Sequence, residues 1–415
     1  MNWRDRWVVG TAVALLATGC AAPPRKPAPP PELEQVAAAL GDPSIRSWDV
    51  ELNEPFKNEL IRAVGRGLAE FESAGSEAPT SHFLALSGGG PDGAFGAGLL
   101  CGWTIEGSRQ EFTVVTGVST GALIAPFAFL GPRYDDKLRQ VYTTVNTRQI
   151  ALRRSLLAGL RSDAAMNTAP LRRTIEKFID EAMVRELAEQ YGRGRILVVA
   201  TTNFDSGRAV IWNIGAIAAT GRPEAIGLIH DVLMASAAIP AVFPPVMIRV
   251  EAEGRVYEEM HMDGGTKAQV FLYPPSLDLR AETEARGLER RRVAFVIRNA
   301  RLDREWATVP RSTLPIARRA IGSLIHANGV GDLFRIYLTS RRDNVEFKLA
   351  YIPATFTAAR TEDFDPVYMK ELFTLGFEMA SAPGGFPWGT SPPGWAESDA
   401  AKIFGTSPDT EPKSR

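Results

Sequence analysis

Cysteine and histidine are scarce in this chain, which holds two of the first and four of the second among 415 residues. Cys20 closes an amino-terminal apolar run, so Cys101 is left without a partner and no intrachain disulfide framework is possible. The setting of that thiol, Leu99-Leu100-Cys101-Gly102-Trp103, fits a small buried core residue. His82, His230, His261 and His326 lack the spacing of zinc ligands, so neither a metal nor a cofactor is expected. An excess of charge is missing as well: 47 basic and 48 acidic residues give a formal charge of -1 and are mixed along the chain. That excludes a basic nucleic-acid-binding surface as the reading of the composition. There is no internal repeat. What is present is 45% hydrophobic and 23% charged residues, enough for one sizeable core with appendages.

The amino terminus carries an address. Arg4 and Arg6 precede an apolar run from Trp7 to Ala17, and Thr18 and Gly19 lead into Cys20. At eleven residues the run is short of the roughly 20 that span a bilayer, and it reads as an export signal. Leu16-Ala17-Thr18-Gly19-Cys20 resembles a bacterial lipobox, with Ala17 where that motif prefers Leu. The resemblance implies cleavage before Cys20, lipidation of that residue and, with neutral Ala21 after it, sorting to the outer membrane facing the periplasm. The rival reading is an ordinary cleavable signal and an incidental thiol.

Composition and pattern divide the chain into six stretches. Residues 1–19 are the signal peptide. Residues 20–54 are a Pro-rich tether and linker, since Ala21 to Glu32 favours extended polyproline spacers. Residues 55–81 form a helical lead, with Phe56, Leu60, Ile61, Val64 and Leu68 on one face. Residues 82–300 are the main domain, 301–381 its carboxy-terminal extension, and 382–415, rich in Pro, Gly, Ser and charge, are expected as a disordered tail. Within the domain, short apolar runs alternate with helical patterns. Strands are expected at His82 to Leu86, Phe112 to Val115, Ile196 to Thr201, Ala209 to Asn213, Val246 to Val250, Val256 to Met262 and Val293 to Arg298. Helical patterns run near Leu171 to Tyr191 and Pro223 to Ala237. Two further strand-like runs, Leu333 to Thr339 and Val345 to Ile352, precede a helix from Pro366 to Ala380. Turns at Asp205-Ser206-Gly207 and Glu251-Ala252-Glu253-Gly254 make part of the sheet antiparallel. The fold class expected is therefore α/β in three layers, a mainly parallel but mixed sheet between helices.

Three motifs carry chemistry. Gly117-Val118-Ser119-Thr120-Gly121 lies between a strand and a helix, as a nucleophile elbow requires; its bland rival is an ordinary turn. Ser87-Gly88-Gly89-Gly90-Pro91-Asp92-Gly93 again joins a strand to a helix. Consecutive glycines expose backbone N–H groups, and Pro91 has none, so oxyanion donors are expected within Gly88, Gly89 and Gly90. Gly88, Gly90 and Gly93 also satisfy GxGxxG, the dinucleotide-binding pattern. That pattern needs an acidic residue at the end of the second strand, and here the strand runs into the serine turn instead. The third motif, Asp263-Gly264-Gly265, is by itself most often a turn.

In this order, and joined by Met234-Ala235-Ser236-Ala237-Ala238-Ile239-Pro240-Ala241-Val242-Phe243-Pro244-Pro245, these motifs resemble the patatin-like phospholipases, whose ASxAxPxxFPP-like segment precedes the catalytic aspartate. The resemblance covers about His82 to Arg298, and the carboxy-terminal part is similar to that of bacterial patatin-like lipoproteins. It implies a patatin-like fold and a serine acyl hydrolase acting on lipid or phospholipid esters, with Ser119 as nucleophile, Asp263 as base and the Gly88 to Gly90 loop as oxyanion hole. The chemistry agrees, because a carboxylate within reach can take the serine proton and a dry site raises its basicity. At Asp92 the family typically has Arg or Lys, so a preference for anionic head groups is in doubt, or Asp92 only starts a helix. Two alternatives stay open: a Ser119-Asp263-His326 triad, and a lipid-anchored scaffold that keeps the fold without turnover. No nucleic acid and no obligate protein partner is expected; the membrane is expected through the lipid anchor.

Overall fold

The computed structural model describes residues 24–73, 79–153, 164, 166–285, 290–303 and 306–395. The expected signal peptide, Cys20 and residues 396–415 lie outside the described residues. The chain enters a sheet with β1 (Arg46–Trp48) and continues through β2 (Ser81–Leu86) and β3 (Val114–Val118). A small separate ladder, β4 (Leu152–Arg153) with β5 (Met166–Asn167), interrupts the sequence. Then come β6 (Ile196–Asn203), β7 (Arg208–Asn213), β8 (Val246–Ala252), β9 (Arg255–Asp263), β10 (Arg292–Arg298) and β11 (Val345–Tyr351). In space the order is β1-β7-β6-β3-β2-β10-β11, with β9 on β6 and β8 on β9. The run β6-β3-β2-β10-β11 is parallel, while β7 and β9 are antiparallel to β6, β8 to β9 and β1 to β7.

Helices cover both faces, so central strands read as continuous apolar runs: every residue of β6 is buried. On one face Leu84, Leu86 and Val115 join a core with Phe95, Leu99, Ile124 and Phe129 from the helices Gly93–Glu106 and Thr120–Leu130. On the other, Phe83, Ala85, Ala294 and Val296 meet Leu333, Ile336 and Tyr337 of a 30-residue helix, Thr313–Arg342. This is the three-layer α/β architecture with a mixed sheet that the motif order implied.

The departures are instructive. Leu333 to Thr339, expected as a strand, is helical, because Leu333, Ile336 and Tyr337 recur every three to four residues and bury one helix face. The pattern from Leu171 to Tyr191 is two helices, Ala169–Phe178 and Glu181–Gly192, parted where the Asp180 side chain caps the second by accepting from the Met183 N–H at 2.8 Å. The stretch 20–54 is more than a linker: β1 extends the sheet, and Ala39, Ile45 and Trp48 are buried. Of the expected tail, residues 382–395 are described, and they pack on the domain. Gly389 exchanges backbone hydrogen bonds with Leu349 of β11, and Trp388 packs on Trp103 and Phe295. The expected turns hold, joining β6 to β7 and β8 to β9 as hairpins; Glu253 and Gly254 both take positive φ, 48° and 73°.

Candidate active site

β3 ends at Val118 and a helix begins at Thr120, so Ser119 alone makes the turn, with φ 55° and ψ −125°. A non-glycine residue there stores strain of about 1–3 kcal/mol, which surrounding structure must sustain. The flanking glycines are steric necessities: a Cβ on Gly117 would lie 2.6 Å from the Gly121 carbonyl oxygen, and one on Gly121 would lie 2.2 Å from that of Leu86. The Ser119 N–H is held by the Ser236 hydroxyl at 3.0 Å, which in turn donates to the Ala200 carbonyl at 2.7 Å. Ser236 therefore ties the strained turn to β6.

Register brings the carboxylate to the serine. β3 pairs with β6 only as far as Val118 opposite Ala200; from the next residue, Thr201, β6 pairs instead with β9, at Asp263. Asp263 thus takes the place in the ladder that Ser119 vacates as the chain turns away. The Ser119 Oγ donates to Asp263 Oδ2 at 2.7 Å, and the Gly265 N–H donates to Oδ1 at 2.7 Å. The Asp263 backbone is fixed too, its N–H to the Ala238 carbonyl at 2.9 Å and its carbonyl to the Thr202 hydroxyl at 3.0 Å. Gly264 allows the turn to press on β6, since a Cβ there would sit 2.5 Å from the Ala200 oxygen.

The glycine loop lies against the same turn. A Cβ on Gly88 would be 3.2 Å from that of Ser119, and one on Gly89 only 2.1 Å from the Asn299 oxygen. Gly88 departs from expectation as a free donor, because its N–H is given to the Gln269 carbonyl at 2.9 Å. Gly89 and Gly90 keep N–H groups without a protein acceptor among the described residues, and Gly90 lines the pocket at Ser119. Gly93 serves packing: a Cβ there would be 2.2 Å from the Thr120 hydroxyl.

Burial dominates the electrostatics. Asp263 is 6% exposed, and burial pushes its carboxyl up from 3.8 to about 6, against the opposing pull of the Ser119 hydroxyl and the Gly265 N–H. Ser119 also opens on an apolar pocket walled by Leu123, Phe127, Val145, Ile175, Phe178, Leu233 and Phe243, with few polar atoms besides Thr120, Tyr142 and Thr174. A partly dry serine–carboxylate pair beside an apolar slot can attack a carbonyl carbon and hold one apolar substituent of it.

The remaining expected residues fall elsewhere. His326, half-buried on the Thr313–Arg342 helix, makes no hydrogen bond to Ser119 or Asp263 among the described residues, so the triad is not assembled. His261 is buried in β9 and bonded to Thr201 and Glu259; His230 bonds the Ile179 carbonyl. Asp92 accepts a hydrogen bond from the Tyr368 hydroxyl at 2.8 Å and lies 3.9 Å from Arg360, so it faces the carboxy-terminal part of the chain. Ser236 was visible within the Met234 to Pro245 segment but carried no role there. The pairing of Arg46 with Glu259 has no local signal at all, the two being 213 positions apart.

Fold and site together define an α/β protein with a serine at a strand–helix elbow, hydrogen-bonded to a buried aspartate. The family model of patatin-like phospholipases matches residues 84–274, slightly less than half of the chain, so that segment is similar to a patatin-like phospholipase domain. Among solved structures, the crystal structure of VipD from Legionella pneumophila matches at 14% identity and a TM-score of 0.30, too low a score to carry an argument. That match covers 73% of this chain and 66% of that one, slightly less than two thirds of its length. No curated protein matches the chain.

Proposed function

We propose that the protein hydrolyses carboxylic ester bonds of lipids through an acyl-enzyme on Ser119, with Asp263 as its only base. The observation that carries this reading is the 2.7 Å hydrogen bond from Ser119 Oγ to the buried Asp263. Oγ attacks the ester carbonyl carbon while its proton passes to Asp263 Oδ2, and the oxyanion is met by the N–H groups of Gly89 and Gly90. The tetrahedral species collapses, breaking the bond to the alcohol, which leaves with the proton from Asp263. Water then attacks the acyl-serine, giving its proton to Asp263, and a second collapse returns the serine and frees the carboxylic acid. The apolar pocket takes the acyl chain. We extend the proposal to location: Cys20 is the lipid-modified residue that anchors the protein at the bacterial outer membrane, on the periplasmic side.

Ser119→Ala should abolish both hydrolysis of a nitrophenyl ester and covalent labelling by a fluorophosphonate, in protein whose circular dichroism is unchanged. Labelling that survives would remove Ser119 from the mechanism. A wild type that is labelled but cleaves no lipid ester would favour a scaffold instead.

A further inference from the structure

The helix Thr313–Arg342 is longer than the strands it covers. Its second half packs on the sheet through Leu333, Ile336 and Tyr337, and Gly329 lies against the Arg298 guanidinium at the end of β10, where a Cβ would come within 2.3 Å of Nη2. The preceding stretch, 313–328, is about 24 Å of helix at 1.5 Å per residue. None of its residues with a described side chain is buried, and at its end the Asn328 side-chain N–H donates to the Lys267 carbonyl at 3.1 Å. Lys267 comes just after the Asp263-Gly264-Gly265 turn, so this projecting half rises from the end of the sheet that carries Ser119 and Asp263.

What it exposes is apolar. Ile316, Ile321, Leu324 and Ile325 are 53%, 57%, 71% and 40% exposed, and Trp306, in the loop before the helix, is 86% exposed. At about 100° per residue, these four isoleucine and leucine positions with Ala317 and Ala320 fall within one half of the helix, and Ser323 and His326 fall on the other. That apolar half is turned roughly 160° from the face which the second half of the helix packs on the sheet, so the core formed by the described residues does not cover it. Charge points to the occupant. From Trp306 to Gly331 the sequence holds no Asp or Glu, and its only charged residues are arginines at 311, 318 and 319. A basic helix with an exposed apolar half is the form that lies in the interface of an anionic bilayer. Among the described residues no helix is long and apolar enough to cross one.

We propose that the projecting half of this helix, with Trp306, docks on an anionic lipid surface, its apolar half among the acyl chains and the net positive charge of the segment drawing it to anionic head groups. The inference goes beyond ester cleavage and does not depend on it: Ser119→Ala protein should bind vesicles as wild type does. The test uses the full chain, with vesicles of phosphatidylcholine with and without phosphatidylglycerol, and compares variants sharing the same amino terminus so that its contribution cancels. Ile321→Ser, Leu324→Ser and Ile325→Ser together should weaken binding to the mixed vesicles about tenfold or more, since each removes buried apolar area. Arg311→Gln, Arg318→Gln and Arg319→Gln together should reduce the preference for phosphatidylglycerol by about tenfold or more, because positive charge near an anionic surface is attracted to it. Brominated lipid should quench a tryptophan signal that Trp306→Phe removes. Because none of the changed residues belongs to the site at Ser119 and Asp263, hydrolysis of a short soluble ester should stay at the wild-type rate. Unaltered vesicle binding in both triple variants would overturn the proposal, as would a change only in sedimentation mass, which would assign the face to a second copy of the chain.

Discussion

Two buried carboxylates stand four residues apart on one face of β9, and their surroundings drive them in opposite directions. Burial raises both. At Asp263 the relief among the described residues comes from a hydroxyl and one backbone N–H, so the carboxyl stays near 6. At Glu259, which is fully buried, the Arg46 guanidinium and the His261 hydrogen bond outweigh burial and bring the carboxyl down to about 2. Arg46 grips it with both terminal nitrogens, one at 2.9 Å from Oε1. Burial lowers His261, so its ring is neutral: Nε2–H donates to Glu259 and Nδ1 accepts from the Thr201 hydroxyl, itself bonded by the Trp212 indole N–H. One end of the strand is a finished ion pair, and the other is a carboxylate left partly uncompensated. The difference lies in the partner, a full positive charge in one case and a neutral donor in the other.

The two ends should titrate with opposite signs. Asp263 is raised in the fold, so its protonated form stabilises the protein at low pH. That stability is lost as pH rises from about 3.8 to about 6, a cost of about 3 kcal/mol at neutrality. Glu259 is depressed, so its contribution, also about 3 kcal/mol, is present above pH 4.5 and lost as pH falls toward 2. Removing the uncompensated charge should have the largest effect. Asp263→Asn should lower kcat by roughly 10² to 10⁴ as the base disappears. Its urea unfolding free energy at pH 7 should rise, and the wild-type rise in activity through pH 6 should vanish. A variant that lost stability and activity together would put Asp263 in the same structural class as Glu259.

Breaking the other end should do the reverse. Arg46→Met leaves Glu259 buried without its cation and should cost about 3–5 kcal/mol of stability. Adding Glu259→Gln should recover much of that loss, and the fluorophosphonate should still label Ser119 in both variants. A double variant as unstable as Arg46→Met alone would mean that the strand β1, and not the ion pair, is what matters there. Next in size is Ser236→Ala, which orphans the buried Ser119 N–H and the bond to Ala200, worth about 1–3 kcal/mol. Because the lost bond holds the strained turn, kcat should fall with KM for a short ester nearly unchanged. A rise in KM alone would assign Ser236 to substrate binding.

The contrast along β9 also marks what a sequence can disclose. The elbow was legible because its requirement is local: Gly117 and Gly121 must flank Ser119 for the backbone to turn, and all three are near neighbours in the chain. The sheet was legible for the same reason, since strands buried on both faces are written as apolar runs. Arg46 was not legible, as it lies in a stretch that composition marks as tether and its partner is 213 positions away. Gly88 shows a finer limit: its residue type suits an oxyanion donor, but only the backbone path of Gln269 reveals that its N–H is already given away. The Leu333 to Thr339 run failed because a short apolar window has no unique period.

A third carboxylate sharpens the comparison by being neither buried nor uncompensated. Asp92 begins the helix after the glycine loop; its side chain is 24% exposed, receives the Tyr368 hydroxyl and lies 3.9 Å from Arg360. The sequence alone left two readings open, that this charge repels anionic head groups or that Asp92 only starts a helix. With a cation beside it and water over part of it, little of its field should reach Ser119. Asp92→Asn keeps an acceptor for Tyr368 and removes only the charge, so stability should shift by less than about 1 kcal/mol. The ratio of kcat/KM for an anionic phospholipid to that for a neutral glyceride, matched in acyl chain and presented in the same micelles, should move by less than about threefold, in keeping with so small an energy. Added salt should leave that ratio where it is, because a compensated charge offers little for ions to screen. A tenfold rise in the ratio that salt then suppresses would show that position 92 acts on substrate charge after all, and that a nearby cation does not silence a carboxylate outside the core.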